Sequence, residues 1–140
     1  LLASYLAGVG MSLRGVDGIH GLCTPLEALV DVPHAHVLAV TCVPLMRFTL
    51  PAATEGYARA ARACGLDGAD DAALAHALID AIDRLRALAG LPHTLAELQL
   101  RADQLEPAID AAVENASLRL NARQPTRDEI SELYRAMQPA

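Results

Sequence analysis

Gly18-Ile19-His20-Gly21-Leu22-Cys23-Thr24-Pro25-Leu26, followed shortly by Asp31-Val32-Pro33-His34-Ala35, holds the two residues with the clearest chemical meaning in this chain. His20 sits late in a short glycine-led segment. His34 directly follows Pro33, at the mouth of an apolar run. From either position an imidazole can ligate a borderline divalent metal. Imidazoles also serve as caps and half-buried polar groups, and two of them make only half a site. A zinc set of His20, Cys23, His34 and His36 has suitable donor types, but a His-x-His pair at a helix start gives poor tetrahedral geometry. His36 reads more simply as a partly exposed residue of a first helical turn, and His76 and His93 as solvated side chains.

On either side of this stretch apolar residues recur at helical spacing. Leu2, Leu6 and Val9 form a stripe that decays into Gly10 and Gly15. A second helix is expected from about Asp17 to Val30, with Pro25 kinking it or marking its first turn. A third starts near Pro33 and runs towards Thr49, bent at Pro44. Pro51 and Thr54 open the next, with Tyr57, Ala60, Ala61 and Cys64 inward and Gly65 placed for a left-handed stop. The longest helix is expected from Asp70 or Asp71 to Ala89, through Leu74, Leu78, Ile82, Leu85 and Leu88. On its outer face Asp80 and Arg84 form an i,i+4 pair worth about 0.3 kcal/mol. Asp103-x-x-Glu106 and Thr126-x-x-Glu129 read as capping boxes for two further helices. No strand alternation or internal repeat stands out, so the expected class is all-α.

Composition narrows the function. The 140 residues suit one domain that buries roughly two thirds of its unfolded surface. With 53% hydrophobic residues, 3% aromatic and no Trp, the core must be built from Ala, Leu, Val and Ile, which suits packed helices. The net charge of −6, with arginines interspersed among carboxylates, argues against nucleic acid. All 11 basic residues are arginine, so lysine Schiff-base chemistry and a phosphate-loop lysine are excluded. Cys23, Cys42 and Cys64 are odd in number and widely spaced, which suits free thiols in a reducing compartment and hence the cytoplasm. The run from Val37 to Met46 is too short to span a bilayer, so no membrane is expected. Asp80, Asp83, Asp110 and Glu114 read as solvated helix faces rather than paired acid and base. The chain opens without Met on Leu1-Leu2-Ala3-Ser4-Tyr5-Leu6, as if in mid-helix, and is expected to be part of a longer polypeptide.

In order and spacing these motifs resemble the C-terminal helical domain of the iron-dependent alcohol dehydrogenase family. There a glycine-led His-x-x-x-His-Pro-Leu-Gly precedes Pro-His-Gly and a long apolar helix ending in Met-Arg-Tyr-Asn. Here His20 and His34 keep the family's separation of 14 residues, and Leu45-Met46-Arg47-Phe48-Thr49 falls in register with the helix end. Tyr57-Ala58-Arg59-Ala60-Ala61-Arg62-Ala63-Cys64-Gly65 resembles the family's helix ending in Ala-x-Gly. Gly90-Leu91-Pro92-His93-Thr94-Leu95 resembles its Gly-Ile-Pro-x-x-Leu, and Asn121-Ala122-Arg123-Gln124-Pro125-Thr126 its Asn-Pro-Arg-x-x-Thr. Cys23, together with Ala35 in place of the usual glycine, is reminiscent of the maleylacetate reductase branch.

The resemblance implies that residues 1–140 are the all-α, multi-helix C-terminal domain of the dehydroquinate synthase-like, iron alcohol dehydrogenase fold, without the N-terminal α/β nucleotide-binding domain. It implies His20 and His34 as two of four ligands to a catalytic Fe2+, with Zn2+ as the alternative ion; the other Asp and His, and most of the NAD(P)H site, would belong to that N-terminal domain. Thr24 and Cys23 would line the pocket of a small alcohol, aldehyde or keto acid, in a homo-oligomer. The residues depart from the family twice. Thr24 replaces the second histidine, and its hydroxyl relays a hydrogen bond but is no base near neutral pH. Glu27 replaces the glycine of Pro-Leu-Gly. Two readings stay open: part of a metal-dependent, NAD(P)-linked oxidoreductase, inactive as this stretch alone, or a non-catalytic helical packing and dimerisation module.

Overall fold

A computed structural model describes residues 1–138, and for Arg14 the backbone alone. The described residues form helices and no strand: α1 (Leu2–Arg14), α2 (Gly18–Glu27), α3 (His34–Ala63), α4 (Asp71–Leu88), α5 (Leu105–Glu114) and α6 (Arg127–Ala136). Short 3-10 helices occupy Ala102–Gln104 and Ala116–Leu120. The all-α expectation holds, with differences in how the helices are divided and faced.

The largest difference is α3. Where the sequence suggests two helices parted at Pro51, one helix of 30 residues runs through both Pro44 and Pro51. An interior proline removes one N–H from the ladder and crowds the carbonyl four residues back, a cost of about 3 kcal/mol. Packing against α2 and α4 outweighs that cost, and two guanidinium groups donate to helix carbonyls near the interruptions. Arg86 Nη1 reaches the Ala39 carbonyl at 2.6 Å and Arg123 Nη1 the Phe48 carbonyl at 3.1 Å. By length and composition α3 could cross a bilayer, so the run from Val37 to Met46 understates its extent. In this fold it is the central core helix and buries ten of its residues.

The continuous helix resets the phase of its second half. Ala58 and Ala61 are buried beside half-buried Tyr57, whereas Ala60 and Cys64, expected inward, are exposed. Gly65, at φ 72°, takes the left-handed stop, and the Leu66 N–H closes onto the Ala61 carbonyl at 3.0 Å. The same arrangement ends α4 at Gly90. On α4 the buried residues are Leu74, Ala75, Leu78 and Ile79, while Leu85 and Leu88 stay mostly exposed. There α3 and α4 leave an open apolar groove lined by Leu38, Cys42, Ile82 and Leu85. Asp80 turns to Arg47, at 3.9 Å, rather than to Arg84.

Two clusters make the core. The larger joins α2, the first half of α3, α5 and α6 around Leu22, Leu26, Ile109 and Tyr134; the smaller joins the middle and end of α3 to α4 around Met46, Leu74 and Ile79. The capping box at Thr126 and Glu129 forms as expected, with Glu129 Oε2 accepting from the Thr126 N–H at 2.8 Å. Asp103 caps nothing and pairs with Arg101 instead, while Gln104 Oε1 accepts from the Arg101 N–H at 2.9 Å. Helix α1 forms where expected, but Leu2, Tyr5, Leu6 and Leu13 along it are all more than half exposed.

Candidate metal centre

The turn between α2 and α3 folds the end of one helix back onto the start of the other. Asp17 caps α2, its Oδ1 accepting from the Ile19 N–H at 3.1 Å, which sets His20 in the first turn. Gly18 and Gly21 allow α2 to lie against the 116–121 segment. A Cβ on Gly21 would meet Leu118 Cγ at 2.6 Å and the Leu118 backbone nitrogen at 2.9 Å, and one on Gly18 would meet the Asn121 side chain at 2.8 Å. At the back of the helix the Tyr134 hydroxyl donates to the Leu22 carbonyl at 2.7 Å and ties α2 to α6. Gln104 Nε2 donates to the Leu29 carbonyl at 3.0 Å and secures the connection that follows. His34 is the first residue of α3.

This arrangement brings His20 and His34 together, their ring centroids 5.6 Å apart with planes tilted by 35°. Two rings that share an ion about 2.1 Å from each nitrogen have centroids roughly 4.5–5.5 Å apart, and this pair lies just beyond that range. The His20 side chain is 26% exposed and that of His34 54%, so both can be reached from solvent. His34 Nδ1 is in contact with Glu27 Oε1, and His20 Nδ1 lies 3.5 Å from Asp17 Oδ1. The potential ligand atoms of Cys23, Glu27 and His34 lie within 4.8 Å of one another. Imidazole, carboxylate and thiol are a donor set suited to a borderline divalent ion.

Cys23 and Thr24 differ in setting. Cys23 is buried in the larger core cluster. Burial first, and the nearby Glu27 carboxylate second, push its thiol up to about 11, so it remains protonated near neutral pH. Thr24 is exposed. His36 is half-buried and lies outside the Cys23, Glu27 and His34 group. Glu27 is the member that sequence alone marks only as a departure from the family pattern. Its signal was the Cys23-x-x-x-Glu27 spacing, which sets both side chains on one helix face.

The model of the C-terminal part of the Fe-containing alcohol dehydrogenase family matches residues 1–138. The chain belongs to that family. It is 29% identical over 135 residues to lactaldehyde reductase of Escherichia coli (strain K12), covering 95% of this chain and 35% of that protein. It is 31% identical over 133 residues to maleylacetate reductase of Burkholderia cepacia, again covering 95% of this chain and 35% of the relative. Among solved structures, 1,3-propanediol oxidoreductase superposes with a TM-score of 0.81 at 26% identity, over 88% of this chain and 33% of that one. The chain therefore spans about a third of the length of these relatives. Its identities to a lactaldehyde reductase and to a maleylacetate reductase are nearly equal, so neither branch of the iron-containing alcohol dehydrogenases is singled out.

Proposed function

We propose that this chain is the metal- and substrate-binding helical part of an iron-type, NAD(P)-linked oxidoreductase that interconverts a small alcohol and an aldehyde, ketone or keto acid. The observation that carries the reading is the convergence of His20 and His34 in a chain of this family. His20 and His34 would hold Fe2+, or Zn2+ in its place, with the remaining ligands and most of the nicotinamide site supplied by the N-terminal α/β domain such enzymes carry. When bound, such an ion would supply Lewis acidity towards a substrate oxygen, and a nicotinamide would supply the hydride chemistry.

The chain's own residues orient and shield. The α2–α3 turn holds the two imidazoles, Cys23 closes the floor of the site as a neutral thiol, and Thr24 presents a hydroxyl from the exposed side of α2. That hydroxyl accepts and donates a hydrogen bond but stores no proton near neutral pH. Cytoplasmic placement and homo-oligomerisation belong to the same reading, supported by the free thiols Cys23, Cys42 and Cys64 and by the exposed apolar side chains of α1.

Metal content and NAD(P)H oxidation with short aldehydes and keto acids test the reading in the full-length protein. His34→Ala should lose the metal and turnover together, because it leaves an under-coordinated ion. Thr24→His should keep the metal and raise activity towards simple alcohols, since it restores a base. Full activity in His34→Ala, or neither metal nor turnover in any full-length form, would overturn the assignment. The second of those results favours a non-catalytic helical module.

A further inference from the structure

The two histidines have the same ring nitrogen occupied. His34 Nδ1 contacts the Glu27 carboxylate, and His20 Nδ1 faces that of Asp17 at 3.5 Å. An ionised carboxylate only accepts hydrogen bonds. The nitrogen that faces it must therefore carry the hydrogen in a neutral ring, which leaves the lone pair on Nε2. The two carboxylates are unequal. Asp17 is 60% exposed and shares its oxygen with the cap of α2, whereas Glu27 is 27% exposed and reaches across the turn to a residue on the next helix. Contact with the less solvated carboxylate is the stronger restraint.

We propose that Glu27 is a positioning residue for the metal site: by accepting from Nδ1 of His34 it fixes the ring's orientation and tautomer, so that Nε2 is the donor to the ion. The inference rests on the metal-binding reading above. Asp17 faces His20 Nδ1 at 3.5 Å, the limit of a hydrogen bond, and restrains that ring only weakly. A carboxylate behind a ligating imidazole also makes the donor nitrogen more basic, and losing such a partner costs about 10–100-fold in metal affinity. The competing geometry has Glu27 itself as a ligand beside Cys23 and His34, whose donor atoms are close enough to share an ion.

Two measurements on the full-length protein decide the matter. In the metal-free protein labelled with 15N-histidine, long-range 1H–15N correlation at about pH 9 should show His34 as the Nδ1–H tautomer. Glu27→Gln, whose amide oxygen still accepts, should keep that tautomer, and Glu27→Ala should shift it towards Nε2–H, the form free imidazole prefers. Cobalt(II) titration should then show affinity reduced about 10–100-fold in Glu27→Ala and by clearly less in Glu27→Gln. Three results overturn the positioning role: an Nε2–H tautomer in the unsubstituted protein, equal cobalt affinity with and without the Glu27 carboxylate, or a loss as large in Gln as in Ala, which marks Glu27 as a direct ligand. Failure of the unsubstituted protein to take up cobalt overturns the metal-binding reading itself, and this inference with it. Circular dichroism of the isosteric Gln variant separates either effect from misfolding.

Discussion

At the scale of single residues, sequence and structure agree that His20 and His34 approach each other and differ on what surrounds them. His20 and His34 were legible because their separation and flanking glycine and proline fit a known pattern. The contact between Glu27 and His34 was not, because helical periodicity says which face a side chain occupies but not how the chain turns between Ala28 and Pro33. Cys23 lends itself to a direct test. Its thiol is buried and pushed up to about 11, burial also raises that of half-buried Cys42, and Cys64 is exposed at the end of α3. Since the thiolate is the nucleophile, alkylation at about pH 8 followed by peptide mass mapping should label Cys64 first and Cys42 slowly. Cys23 should react at least about 100-fold more slowly than an exposed thiol until the protein is unfolded. Prompt labelling of Cys23 would show that α2 opens readily.

At the scale of the elements, turn and cap signals hold at Gly65, Asp70 and Thr126, whereas at Asp103 the neighbouring Arg101 takes the carboxylate instead. They misled where distant residues decide. Pro51 carries a stop signal, yet α3 continues through it, packed against α4, with Arg123, 72 residues further along, donating to the carbonyl of Phe48 three residues before it. Leu85 and Leu88 keep helical spacing with Leu78, but spacing cannot tell where the partner helix diverges. Glycines in helices make a paired test of close approach. Alanine in an exposed helical position is better than glycine by about 1 kcal/mol, and Gly56 in α3 has open space where a Cβ would go. Gly56→Ala should therefore stabilise by about 0.5–1 kcal/mol. At Gly21 the same gain meets the Leu118 backbone, which cannot swing aside as a flexible side-chain end can. Overpacking costs of about 1–3 kcal/mol make Gly21→Ala destabilising on balance. Thermal unfolding should move the two midpoints in opposite directions, and a rise in both would mean that the 116–121 segment yields easily.

For the molecule as a whole, the class and order of helices were legible because period and punctuation persist along the chain, whereas the division into two core clusters depends on contacts that no local pattern encodes. The larger cluster makes stability sensitive to alkali. Its Cys23 thiol and Tyr134 hydroxyl are both raised, chiefly by burial. For Cys23 the unfolded chain loses its proton at the ordinary value and the folded chain only near 11. Between those values the unfolded state binds fewer protons, so unfolding free energy falls as pH rises. The stabilisation is complete below about pH 8.5, and about 2 kcal/mol of it should be lost towards pH 11, with Tyr134 adding to the loss higher up. Urea unfolding across that range should show the decline. Cys23→Ala, though less stable at neutral pH, should show a shallower one; an unchanged slope would place the titrating group elsewhere.

The bond from Tyr134 to the Leu22 carbonyl spans 112 residues, and it sets a schedule for biosynthesis. Translation delivers the helix carrying His20 more than a hundred residues before the one that braces it, so on the ribosome the α2–α3 turn lacks its rear support while those residues are added. A ribosome-arrested chain stopped before Tyr134 should therefore expose Cys23 to alkylation, and one extended past α6 should protect it.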